Sequence, residues 1–87
     1  MSEKISATVI VTTYNVQQTI RETMDCIFES RVDFDFDVVV VDDQSTDNTV
    51  NILGDYSINL IELEKNRGPA HARNIAIQAA SGEFLIF

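Results

Sequence analysis

Eighty-seven residues make at most one small domain, or part of a larger one. Fourteen acids against six bases give a net charge of −8, which argues against nucleic acid and anionic membrane surfaces as partners, because both call for a basic footprint. The single cysteine, Cys26, leaves no internal disulfide, no apolar run nears the ~20 residues of a membrane span, and Met1-Ser2-Glu3-Lys4 lacks a signal-peptide layout, so a cytoplasmic protein is expected.

Ala7 to Thr12 is rich in β-branched residues and reads as a first strand, ended by Tyr14 and Asn15. Asn15 is suited to cap the helix that follows, with Gln18 placed as in a capping box. Val16, Ile20, Met24, Ile27 and Phe28 recur at helical spacing and predict an apolar stripe facing a sheet, with Cys26 a small packing residue in the same helix. Arg31 to Asp35 reads as a polar connection, and Asp33, Asp35 and Asp37 as acids of a solvated loop. Phe36 to Val41 is the second strand, and the run Val38 to Val41 suits a strand covered on both faces. Ser45 or Thr46 is expected to cap a second helix, with Asp47 at the positive end of its dipole and Val50, Leu53 and Tyr56 on its inner face. Ile58 to Leu63 alternates and reads as a third strand nearer an edge. Asn66-Arg67-Gly68-Pro69 is a turn, with Pro69 opening a third helix whose Ala72, Ile75, Ala76 and Ala79 can lie close to a sheet. Ser81-Gly82 stops that helix, and Glu83 to Phe87 opens a fourth strand. With no turn after that strand, the chain is expected to be a fragment.

This alternation, β-α-β-α-β-α-β, predicts an α/β fold with a mainly parallel sheet, right-handed crossovers and helices on both faces. By analogy with doubly wound sheets the expected strand order is 3-2-1-4, with a crevice between the first and fourth strands.

Ligands of such sheets bind outside the carboxyl ends of the strands, where Asp42 and Asp43 fall. Two adjacent acids at the tip of a buried strand are costly to hold unless something pairs with them. Three segments converge there: Thr12-Thr13-Tyr14-Asn15, Asp42-Asp43, and the start of the third helix around Asn66 to Asn74. Tyr14 offers an aromatic face, Asp43 an acceptor for a base N–H or a ribose hydroxyl, and Arg73 a fork matched to phosphate oxygens. The helix N-terminus adds backbone donors for an anion. Together these describe a nucleotide pocket better than a peptide or metal site. Each has a plainer reading as well. Tyr14-Asn15 is also a strand-exit cap, Asp42-Asp43 a solvated turn with Asp43 capping the second helix, and Arg73 the partner of a surface acid. His71 has no companion at metal-ligand spacing and reads as a surface or satisfied residue. Neither Gly-X-Gly-X-X-Gly nor a Walker-type Gly-Lys-Ser/Thr is present, against dinucleotide oxidoreductases and phosphate-loop ATPases.

The series Val9 to Asn15, Val40 to Thr49, Asn66 to Asn74 and Ala80 to Phe84 resembles the N-terminal part of a family 2 glycosyltransferase of GT-A fold, four motifs in order over nearly the whole chain. The resemblance implies a Rossmann-like GT-A half-domain over residues 1–87, the nucleotide-sugar-binding part of an incomplete domain. It implies an enzyme that moves a sugar from a nucleotide-sugar donor, most often a UDP-sugar, to a glycan, lipid or other acceptor, commonly with inversion, as in cell-wall or polysaccharide biosynthesis. Carried over by position, Thr12, Tyr14 and Asn15 line the nucleoside pocket, Asp43 contacts the base, and Asp42 supports that loop. Arg73 lies near the diphosphate or base, and Asn66 and Gly68 shape the adjacent loop. Three positions depart from the family's habit: Thr12 stands where proline is frequent, Gln44 where glycine is usual, and Ala76 where glycine is frequent. At Gln44 either the turn differs or the residue takes a left-handed conformation at some cost.

The family's Asp-X-Asp motif, which holds a divalent metal (Mg or Mn) on the donor diphosphate, is expected shortly after Phe87, with the catalytic base further on. No catalytic residue and no metal ligand is therefore expected in this chain, and weak nucleotide binding is the most it should manage alone. Other classes compete with this reading. A non-catalytic nucleotide-binding or interaction module of the same fold differs only in residues beyond Phe87. A response-regulator receiver domain needs its paired acids on the first strand, whereas here they end the second.

Overall fold

The computed structural model describes residues 7–30, 35–80 and 84–86. Along it run β1 (Ala7–Thr13), α1 (Ile20–Phe28), β2 (Phe36–Asp42), α2 (Thr49–Leu53), β3 (Asn59–Glu62), α3 (Pro69–Ala79) and β4 (Phe84–Ile86). The expected connection over 31–34, the Ser81-Gly82 stop and the ends of the fourth strand lie outside the described residues. The strands form one parallel sheet in the order β3-β2-β1-β4, as the alternation and the analogy predict.

The valine run explains why the sheet is covered on both faces. Successive side chains of a strand point to opposite sides. Val39 and Val41 therefore pack with Ile10 against Ala72 and Ala76 of α3. Val38 and Val40 pack against Ile20 and Met24 of α1 and Leu53 of α2. All four valines are at most 3% exposed, and each fully buried side chain of this kind stabilises the fold by about 1.5–3 kcal/mol. The small residues of α3 let that helix lie close to β1 and β2, while the larger residues of α1 and α2 fill the opposite layer.

Three local expectations are corrected. Cys26 is exposed, because the inward positions of α1 are Ile20, Met24 and Ile27 and residue 26 falls on the outer side. Phe28 is 42% exposed and stacks on Tyr56 at 5.9 Å between ring centroids instead of entering the core. Asp37 belongs to β2, where its Oδ1 accepts the Thr8 hydroxyl at 2.6 Å. β3 stands at the edge of the sheet as expected, with Leu60 packed to one side, Ile61 to the other and its two end residues exposed.

Register fixes what meets at the carboxyl edge. β1 and β2 pair from Ala7↔Phe36 to Thr13↔Asp42, so Thr13 and Asp42 end side by side. β3 closes its pairing at Asp42↔Glu62, and β4 pairs with Ala7 to Val9. Three loops therefore leave the same edge: 14–19 after β1, 43–48 after β2 and 63–68 after β3.

Candidate functional site

Asp42 is 1% exposed, and its carboxylate meets donors only. Oδ1 accepts the hydroxyls of Thr13 at 2.7 Å and Ser45 at 2.6 Å, and Oδ2 accepts the Ser45 amide at 2.8 Å. These bonds compensate the burial of a charge that would otherwise be prohibitive. Asp42 thus sits beneath the surface, holding the start of the 43–48 loop against the end of β1.

Asp43 points the other way, toward the 63–68 loop. Its Oδ1 accepts the Arg67 amide and its Oδ2 the Gly68 amide, both at 2.9 Å, while the Asn66 side-chain amide donates to its backbone carbonyl at 3.1 Å. A carboxylate just before α3 also lies in the favourable field of that helix's N-terminus. The two amides just ahead of α3 are therefore already taken by Asp43. An ionised carboxylate has about four acceptor sites, and these bonds use two of them at a residue 4% exposed. Gly68 is needed for its backbone: φ 93° and ψ 163° form a conformation essentially confined to glycine, although a Cβ there would meet nothing within 4 Å.

Between these groups opens a cleft of about 300 Å³, lined by Thr12, Thr13, Tyr14, Asp43, Asn66, Gly68, Pro69 and Ala72. This is the lower end of the size range of small-molecule sites. Five of the eight residues predicted from the sequence line it: Thr12, Tyr14, Asp43, Asn66 and Gly68. Tyr14 is 47% exposed, so its ring is available to a ligand. Asp42 lies below the cleft. Arg73 lines a separate cleft along β1, with Val9 to Thr12 and with Thr23 and Ile27 of α1. Thr13, Pro69 and Ala72 were not selected from the sequence; Pro69 and Ala72 reach the wall because the first turn of α3 forms it.

Asn15 borders a third, shallow crevice with Gln17 and Asp47. It does not cap α1, which starts at Ile20 after a turn closed by the Thr19 and Ile20 amides on the Val16 carbonyl. Instead Asn15 takes φ 51°, and its Oδ1 accepts the amides of Thr46 at 2.7 Å and Asp47 at 3.3 Å. The bonds run in both directions. Ser45 Oγ accepts the Asn15 amide, Thr49 Oγ1 the Val16 amide, Asp47 Oδ2 the Gln17 amide, and Gln17 Oε1 the Asn48 amide. Neither Ser45 nor Thr46 caps α2, because their polar groups serve β1 and its loop. Asp47 does stand at the start of α2, where its Oδ1 accepts the Thr49 amide and hydroxyl. Burial pushes the Asp47 carboxyl up, but the bonds from Thr49 and Gln17 together outweigh it and hold it below the ordinary carboxylate value.

Among the described residues no three His, Cys, Asp or Glu side chains come together to hold a metal ion. No helix among them is long and apolar enough to cross a membrane.

A parallel sheet wound in this order, with a cleft at its carboxyl edge, is a Rossmann-like α/β arrangement. The sequence matches the profile of glycosyl transferase family 2 over residues 8–87, and the chain belongs to that family. It is 41% identical to the poly(ribitol-phosphate) beta-N-acetylglucosaminyltransferase TarS of Staphylococcus aureus, over 91% of this chain and 15% of TarS. A crystal structure of S. aureus TarS 1–349 in complex with UDP-GlcNAc superposes with a TM-score of 0.86 at 42% identity, covering 95% of this chain and 26% of that one. A mannosyltransferase from Pyrobaculum calidifontis, in complex with GDP-Man and Mn2+, superposes with a TM-score of 0.81 at 37% identity, over 97% of this chain and 27% of its own. The fold is accordingly that of the GT-A glycosyltransferases, and the chain spans roughly a seventh to a quarter of these relatives.

Proposed function

We propose that this chain is the nucleotide-binding part of a glycosyltransferase that moves a sugar from a nucleotide-sugar donor, a UDP-sugar, to a glycan or lipid acceptor of the cell envelope, with inversion. The observation that carries the reading is Asp43. Its two oxygens are aimed by the Arg67 and Gly68 amides, and it faces a cleft beside the exposed ring of Tyr14 while keeping acceptor capacity. That pairing suits a uracil, whose ring N–H needs an acceptor and whose face needs a flat apolar partner. A relative 42% identical that is solved with UDP-GlcNAc supports the same donor class.

In this reading Tyr14 stacks on the base, Asp43 accepts from it, and Thr12, Asn66 and Gly68 shape the nucleoside wall. Asp42 and Asn15 hold the loops that carry these groups, and Arg73, one turn along α3, serves the diphosphate from the β1 side. No acid or base for the transfer step is assigned to this chain. A divalent metal, Mg or Mn, belongs to the reading and would supply charge neutralisation at the leaving diphosphate. The described residues alone do not form its site. In this reading the enzyme works in the cytoplasm.

Calorimetry of UDP binding to the intact protein tests this. Asp43→Ala should weaken binding by roughly 1–3 kcal/mol, the range for losing a hydrogen bond to a charged group. Unchanged affinity would remove Asp43 from the site. A protein that binds UDP but transfers no sugar from any UDP-sugar would be a non-catalytic module.

A further inference from the structure

Gln44 has φ 67°, and with Asn15 it is one of two non-glycine residues at positive φ among the described residues. For a residue with a Cβ this conformation is costly. Asn offsets the cost with a short side chain that bonds locally, but Gln is longer and this one is exposed, so apolar burial offers no compensation. What the position provides is a bond across the edge of the sheet: Gln44 Nε2 donates to the Glu64 carbonyl at 2.7 Å.

The place of that bond gives it meaning. The β2–β3 ladder closes with the Leu63 amide donating to the Asp42 carbonyl at 2.9 Å. Beyond it the backbone turns away at Gln44, and its side-chain amide takes the next carbonyl, that of Glu64. Asp43 then holds Asn66, Arg67 and Gly68. Two adjacent residues therefore grip the 63–68 loop from its first residues to the last one before α3. Gln44 is not among the residues lining the main cleft, so it acts on the wall and not on the ligand.

We propose that Gln44 is a positioning residue for the nucleotide cleft. Its left-handed backbone aims the side chain at Glu64, and the tie fixes the distance between Asp43 and the Asn66–Gly68 wall. The inference rests on the nucleotide reading of that cleft.

The test uses the intact protein, with UDP as the probe, and hydrogen exchange at the Arg67 and Gly68 amides. Gln44→Glu keeps the length and the backbone cost but faces the Glu64 carbonyl with an acceptor. Gln44→Gly relieves the backbone and removes the tie. Both should weaken UDP binding about three- to tenfold, the worth of one hydrogen bond. Both should speed exchange at the two amides, while Gln44→Gly unfolds no more easily than the parent. Gln44→Lys, which returns a donor at similar reach, should restore both readings. A role confined to stability would make binding follow unfolding, and Gln44→Gly would then bind as the parent does, which overturns the proposal. Unchanged exchange in Gln44→Glu overturns it as well. If the parent protein itself does not bind UDP, the nucleotide reading fails. The exchange arm still decides the tie, with faster exchange in Gln44→Glu sustaining it.

Discussion

The two flanks of the 43–48 loop are built differently. Toward β1 the bonds are many and reciprocal, with Asn15, Gln17, Ser45 and Asp47 each joining one loop to the other. None of these four residues lines the main cleft. Toward α3 the grip among the described residues runs through Asp43 and Gln44, and Asp43 lines the cleft. The first flank spends its polar groups on itself and behaves as scaffold. The second sets Asp43, 4% exposed, in the wall of the cleft. Adjacent residues of one sequence, Asp42 and Asp43, thereby serve opposite flanks, Asp42 bonding Thr13 and Ser45 and Asp43 the Arg67 and Gly68 amides.

Breaking the scaffold flank should have the larger effect. Asp42→Ala strands the Thr13 hydroxyl, the Ser45 hydroxyl and the Ser45 amide at a residue 1% exposed. A loss of about 3 kcal/mol is expected in the stability of this sheet, read from urea unfolding or from exchange of the β2 amides. A loss below ~1 kcal/mol would mean that these donors find other partners and that the flank is not held by Asp42. On the other flank, Gly68→Ala should cost about 1–3 kcal/mol, because φ 93° and ψ 163° suit a residue without a Cβ. There is room for the methyl group, so the cost is conformational, and the 63–68 loop should relax away from Asp43. UDP affinity should fall along with stability. Wild-type behaviour in both would show that alanine tolerates this backbone and that the wall does not depend on it.

The fold was legible because its signals are local. Four valines in a row, the stripe through Ile20 and Met24, and Pro69 opening a helix of small residues each follow from spacing alone. The lacing of the loops was not legible, because it depends on register. Asn15 and Thr46 are 31 residues apart and meet only because Thr13 ends beside Asp42. Capping rules are local, so they assigned Asn15 to the helix next to it and Ser45 or Thr46 to α2. A left-handed turn at Asn15 instead sends its oxygen across to the neighbouring loop. The left-handed alternative at Gln44 could be raised from the sequence, since the resemblance implies that glycine is usual there; the Glu64 carbonyl that uses it could not. Arg73 shows the limit of grouping residues by nearness in sequence. It follows Ala72 directly, yet Ala72 lines the main cleft and Arg73 the one along β1, because neighbours on a helix face different directions.

The smallest expected effect lies on the scaffold flank and concerns its dependence on pH. Asp47 has its carboxyl held below the ordinary 3.8, with burial opposing and the Thr49 and Gln17 donors prevailing. A group whose folded pKa is depressed stabilises the fold above its unfolded pKa, and that contribution is lost as pH falls through the folded value. The lacing by Asp47 should thus be fully present at neutral pH and fade only below about pH 4. Asp47→Asn replaces one of the two accepting oxygens by a donor, leaving either Gln17 or Thr49 poorly met. The comparison to make is the stability gap between parent and variant, since the other carboxylates titrate in both and cancel. The gap should be flat from pH 7 to about 5 and close as the acid limb is entered. A gap that stays constant through pH 3 would mean that the Asp47 charge contributes nothing to the lock, and that the two loops are held by Asn15 and Ser45 instead.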